Sequence, residues 1–191
     1  MDQQIAFLQE ADRLKLVLRA TTLGDGSRAE NSAEHSWHLC LYALTLADQA
    51  GPEVDITRVI KMLILHDLVE IDAGDTPIFG TYDAAAIAAQ EAAAADRIFG
   101  LLPTDLCEDL RATWEEFEAD ETPTAQFAKS LDRFQPPMQN LASNGGSWVQ
   151  YNVSYDTWVS KVGNRIARGA PGLWAYARRE VTAWFAARDK T

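Results

Sequence analysis

Apolar residues recur along most of this chain three and four positions apart, the period of a helix with one buried face, and runs with the strict alternation of a strand are nearly absent. A first helix is read through Ile5, Leu8, Leu14, Val17 and Leu18. A second starts at Asn31, with Glu34 three residues on as in a capping box, carries Trp37, Leu41, Leu44 and Leu46, and stops at Gly51-Pro52. A third starts at the cap Asp55, buries Val59, Ile60, Leu63 and Ile64, and ends near Gly74. The alanine-rich stretch from Asp83 to Phe99 and the segment from Thr104 to Glu118 are two more helices. Thr122-Pro123 pairs a cap with proline at the first helical position and opens a helix through Phe127, Leu131 and Phe134, expected to bend at Pro136-Pro137. The stretch from Pro136 to Ser154, with Trp148, Tyr151 and Val153, reads as a packed loop. Helices from Ser154 to Arg168 and from Pro171 to Ala187 follow, the latter with Leu173, Ala177, Val181, Trp184 and Phe185 on one stripe. The pattern predicts an all-α protein, a single-domain bundle of about seven helices over residues 1–191.

Composition fits one globular domain: 191 residues, 47% hydrophobic and 24% charged. A formal charge of -11 argues against long nucleic acid or an anionic membrane surface as a partner. No apolar run approaches the roughly 20 residues that cross a bilayer, and the first residues lack a basic segment followed by an apolar one, so a soluble, unexported protein is expected. Cys40 and Cys107 form neither a CxxC pair nor a disulfide framework, which fits a reducing cytoplasm and two small buried hydrophobes.

The candidate chemistry lies in the third helix. His66 and Asp67 stand together in its most apolar part, where an unpartnered carboxylate costs several kcal/mol and a divalent cation removes that cost. Glu70 follows His66 by four residues and Asp67 by three, so it projects from the same side, and Asp75 lies just beyond the Gly74 stop. His38, by contrast, reads as an ordinary helix-face residue.

With these residues in view, the chain resembles the HD-domain metal-dependent phosphohydrolases, in particular their 5′-deoxynucleotidase-like group. The resemblance covers roughly residues 10 to 143 and rests on His35 within Glu30-Asn31-Ser32-Ala33-Glu34-His35-Ser36-Trp37, on the pair His66-Asp67, and on Asp132 within Phe127-Ala128-Lys129-Ser130-Leu131-Asp132-Arg133. It implies an all-helical fold, one divalent metal bound by His35, His66, Asp67 and Asp132, and hydrolysis of nucleoside monophosphates by a homodimer. Pro136 has no amide hydrogen for the carbonyl of Asp132, a local disturbance that can aim this side chain inward. A mixed nitrogen and oxygen donor set suits manganese, cobalt, ferrous iron, nickel, zinc or magnesium without selecting one. Within such a site Glu70 orients or deprotonates the attacking water and Asp75 protonates the departing sugar oxygen, and these two roles can be exchanged. Arg19 aligns with an arginine that contacts substrate in the family's nucleotidases, and Lys129, one turn before Asp132, is a second candidate for the phosphate.

The chain departs from those nucleotidases at Ala20, where they carry a tryptophan near the sugar, and around Gly145-Gly146-Ser147-Trp148. Preference for deoxyribose over ribose therefore stays open. So do two alternatives: hydrolysis of nucleoside di- or triphosphates, and a non-catalytic metal- or nucleotide-binding regulatory protein.

Overall fold

A computed structural model describes residues 1–188. Helix α1 (Asp2–Ala11) passes into a 3₁₀ turn (Asp12–Leu16) and then into strand β1 (Leu18–Thr22), which pairs antiparallel with β2 (Ala29–Asn31). The first helix thus stops well short of Leu14, Val17 and Leu18, contrary to the periodicity. Phe7 and Leu14 are the residues buried here, Phe7 stacked on Phe99, while Ile5, Leu8 and Leu18 stay exposed. Thr21 and Thr22 favour extended backbone, and the hairpin closes where the Leu23 amide donates to the Arg28 carbonyl at 2.9 Å.

Helix α2 (Ser32–Thr45) has its complete capping box: Asn31 Oδ1 accepts from the Glu34 amide at 2.9 Å, and the Glu34 carboxylate accepts from the Asn31 amide at 3.2 Å. Its buried face carries Ser32, His35, Ser36, Leu39 and Ala43, whereas Trp37, Leu41 and Leu44 are exposed. Three of the four apolar residues read as the stripe thus lie on the outer face, while Leu46 packs partly buried against the core and the inner face combines polar Ser32, His35 and Ser36 with apolar Leu39 and Ala43.

Helix α3 (Ile56–Leu65) is capped by Asp55, whose carboxylate accepts from the amides of Thr57 and Arg58. It ends eight residues sooner than the expected helix, which ran on toward Gly74. A tight turn follows, with the Leu68 amide on the Leu65 carbonyl (3.1 Å) and the Glu70 amide on the Asp67 carbonyl (2.9 Å). Helix α4 (Glu70–Ala73) then stops at Gly74, whose φ of +75° suits glycine. All five residues from Leu65 to Val69 are buried in and around this turn. Val59 and Leu63 are buried as expected, but Ile64 is exposed.

Helices α5 (Ala84–Phe99) and α6 (Thr104–Ala119) match the expectation. Helix α7 (Pro123–Ala142) runs on through Pro136 and Pro137, and α8 (Gly146–Gln150) follows it, so most of the expected loop after Pro136 is helical, with Trp148 buried. The next segment is α9 (Tyr155–Trp158), a π-helical turn (Val159–Gly163) and α10 (Asn164–Gly169). Gly163 lies so close to Trp174 that a Cβ there would be 2.5 Å from the indole ring. Helix α11 (Pro171–Arg188) buries Leu173, Ala177, Val181 and Phe185.

The interior forms two apolar clusters. The larger includes Leu39, Val59, Leu63, Phe127, Leu131 and Trp158, and the smaller Phe7, Leu14, Leu65, Leu68, Ile98 and Phe99. Leu63 belongs to one and Leu65 to the other, so His66 and Asp67 leave the end of α3 where the clusters meet. Among the described residues no helix is long and apolar enough to cross a membrane.

Candidate metal centre

Three elements bring imidazole and carboxylate to one point: the first turn of α2 brings His35, the end of α3 brings His66, and the middle of α7 brings Asp132. His35 Nε2 lies 3.1 Å from Asp132 Oδ1, and His66 Nε2 lies 3.8 Å from the same oxygen. One ligand atom from each of the three falls within 4.8 Å of the others. Asp67 adjoins this cluster, its Oδ1 being 3.0 Å from His66 Nε2 and its Oδ2 accepting from Arg19 Nη1 at 2.9 Å.

The hydrogen bonds on the far side of each ring decide the tautomers. His66 Nδ1 faces the Leu63 carbonyl at 2.8 Å, which can only accept, so Nδ1 carries a proton. His35 Nδ1 faces Gln135 Oε1 at 3.1 Å, and Gln135 is oriented by its Nε2, which donates to Glu30 Oε1 at 2.9 Å. In each neutral ring Nε2 is consequently the lone-pair nitrogen, and both point toward Asp132. His66 Nε2 is buried and has no hydrogen-bond partner. An orphaned imidazole nitrogen beside a second imidazole and two carboxylates, both rings being anchored from behind, is the donor set a divalent cation takes.

The electrostatics agree that this point favours positive charge. Burial works against a charge on His66, yet Asp67 and Asp132 outweigh it and hold its pKa up at about 9. Burial is likewise outweighed at Asp132, which Arg133, His35 and His66 keep well below the usual carboxylate range.

A cavity of about 130 Å³ opens on the cluster, lined by His66, Asp67, Asp132 and by Glu70, Asp75, Arg19 and Lys129. All the residues singled out in the sequence meet here except His35, which is fully buried behind the opening. Glu70 Oε2 accepts from the Ser32 hydroxyl at 2.6 Å, and burial together with Asp67 raises its pKa well above the ordinary value. Asp75 Oδ2 accepts from the Ala20 amide at 3.3 Å, and burial raises it too, against the pull of Arg19. Lys129 Nζ sits 4.5 Å above the Phe117 ring and 3.2 Å from Glu118, and Phe117 packs edge-on to His66.

Sequence reasoning missed Glu30, Ser32, Gln135 and Arg133. Ser32 and Gln135 are three residues before His35 and three after Asp132, a helical spacing that could have drawn attention to them. Glu30 had no comparable signal. His38 is a helix-face residue as read, although Gln135 Nε2 approaches its Nδ1 at 3.3 Å.

Residues 11–174 match the HD-domain family, and the chain belongs to that family. It is similar to a solved structure from Magnetospirillum magnetotacticum MS-1, described as a predicted metal-dependent phosphohydrolase, at 47% identity and a TM-score of 0.90 over 95% of this chain and 91% of that one. It is also similar to the 5'-deoxynucleotidase HDDC2 of Danio rerio, 29% identical over 73% of this chain and 68% of the relative. The Homo sapiens protein of the same name is 26% identical over 71% of this chain and 65% of the relative.

Proposed function

We propose that the chain is a divalent-metal-dependent phosphohydrolase that releases orthophosphate from nucleoside 5′-monophosphates, deoxyribonucleotides among them. The observation that carries this reading is the pair of imidazoles, each with Nδ1–H committed to an acceptor and Nε2 turned toward Asp132, beside a cavity lined with further carboxylates and cations. The two 5'-deoxynucleotidase relatives support the substrate class.

His35, His66, Asp67 and Asp132 would hold one divalent cation, which when bound polarises a phosphoryl oxygen and acidifies water. Arg19 offers a guanidinium fork to the phosphate oxygens, and Lys129, lining the same cavity, adds a point charge. Glu70, fixed by Ser32, takes the proton of the attacking water. Asp75 gives a proton to the departing sugar oxygen, and the roles of Glu70 and Asp75 can be exchanged. Ala20 lines an adjoining cavity with Ile78, Phe79 and Tyr151, which would receive the sugar and base, and its small side chain admits either ribose or deoxyribose.

We further place the protein as a homodimer in a reducing cytoplasm. Supporting this are the exposed Trp37, Leu41 and Leu44 on α2, which supply an apolar face, and the free thiols of Cys40 and Cys107.

The test is phosphate release from a panel of nucleoside mono-, di- and triphosphates after chelation and addition of manganese or cobalt. Release from monophosphates is expected. Stoichiometric metal uptake with no release from any nucleotide would instead make the chain a binding protein.

A further inference from the structure

Glu30 takes no part in the chemistry proposed above, yet at 1% exposure it is the most buried carboxylate among the described residues. It stands in the middle of β2, where strand alternation turns it inward between the half-buried Ala29 and Asn31. Its Oε1 accepts from Gln135 Nε2 at 2.9 Å and from Gln139 Nε2 at 2.7 Å, both on α7. Its Oε2 has no hydrogen bond and lies 3.4 Å from His35 Nδ1 and 3.8 Å from Arg19 Nε. Arg19 Nε is buried and has no hydrogen-bond partner either.

One buried charge therefore stands behind two groups that face the site from its far side. His35 turns Nε2 toward Asp132, and Arg19 turns Nη1 toward Asp67 at 2.9 Å and Asp75 at 3.7 Å. The two glutamines satisfy one oxygen and fix the carboxylate plane, which aims the other between the imidazole and the guanidinium. We propose that Glu30 is a positioning residue shared by both halves of the site. It keeps the proton of His35 on Nδ1, so that Nε2 stays free for the cation, and its charge behind Arg19 Nε sets the orientation of the guanidinium, whose Nη1 reaches the site beside Asp67 and Asp75. The inference rests on the metal reading above.

The test is Glu30→Gln, which keeps the shape and removes the charge. Cobalt(II) binding is followed by visible absorption after chelation, and KM and kcat for 2′-deoxyadenosine 5′-monophosphate are measured at saturating cobalt. Cobalt affinity is expected to fall by about 10–100-fold and KM to rise about tenfold, with kcat at saturation little changed. A merely structural role lowers the melting temperature and the folded fraction but leaves both constants of the folded protein alone. Either constant remaining at the wild-type value overturns the shared role. If Glu30→Gln does not fold, Gln135→Met is the second variant: it removes the acceptor of the His35 Nδ1 proton and one of the two donors that fix Glu30, so cobalt binding should weaken, and wild-type cobalt affinity overturns the proposal. Failure of the wild-type chain to take up cobalt would overturn the metal reading itself, and this inference with it.

Discussion

Two imidazoles close to one buried carboxylate can be an ordinary polar cluster, and the difference from a metal site lies in which nitrogen is free. Here the Leu63 carbonyl and Gln135 Oε1 take the Nδ1 protons, leaving both Nε2 atoms on the side of Asp132. Asp67→Ala should abolish both metal uptake and phosphate release, because it removes a proposed ligand and the partner of Arg19. Glu70→Gln should keep one equivalent of metal, measured by elemental analysis, and lose turnover by about 10²–10⁴-fold. Full rate in that variant would take Glu70 out of the mechanism. At this scale much was legible: His66, Asp67, Glu70 and Asp75 announce themselves as charge in an apolar run, and His35 and Asp132 through their matching flanks. Glu30 was not, because its meaning comes from strand pairing and from glutamines on α7, more than one hundred residues away.

Among the secondary elements, what positions the chemistry is the break between α3 and α4. A tight turn over residues 66–69 replaces the continuous helix and sends His66 and Asp67 to the boundary between the clusters. Local propensity could not show this, since each residue there is compatible with a helix and tertiary context decides. The same competition explains α2, whose apolar periodicity marked the exposed Trp37, Leu41 and Leu44 while its buried face held His35. Helix ends fared better, because caps are local chemistry: Asn31 and Asp55 cap as their sequences suggest. Asn31→Ala should cost about 1 kcal/mol of stability in denaturant unfolding and loosen the turn that carries His35. Gly163→Ala should cost about 1–3 kcal/mol by forcing a methyl group against Trp174, with the metal centre otherwise intact. A neutral result would mean that the π-helical turn can yield there.

For the whole molecule, the site lies where two apolar clusters meet and draws its residues from β1, α2, the α3–α4 turn and α7, so a bound cation ties these elements together. Metal present at one hundred times its dissociation constant should add about 2.7 kcal/mol to the stability of the chelated protein. Calorimetry with and without chelator would register this as a melting-temperature rise of about 2–4 °C per kcal/mol. Leu41→Asp should leave the chelation response intact and shift sedimentation from dimer to monomer if the outer face of α2 joins two copies. Overall class was readable because helical periods dominate the chain; the short hairpin was not, because strands of five and three residues are too short to set up a clear alternation.

The most direct measurement is anomalous diffraction from crystals equilibrated with manganese. One strong peak per chain is predicted, bounded by His35 Nε2, His66 Nε2 and the carboxylates of Asp67 and Asp132. Peaks only elsewhere, or none at full manganese occupancy in the crystallisation solution, would contradict the account.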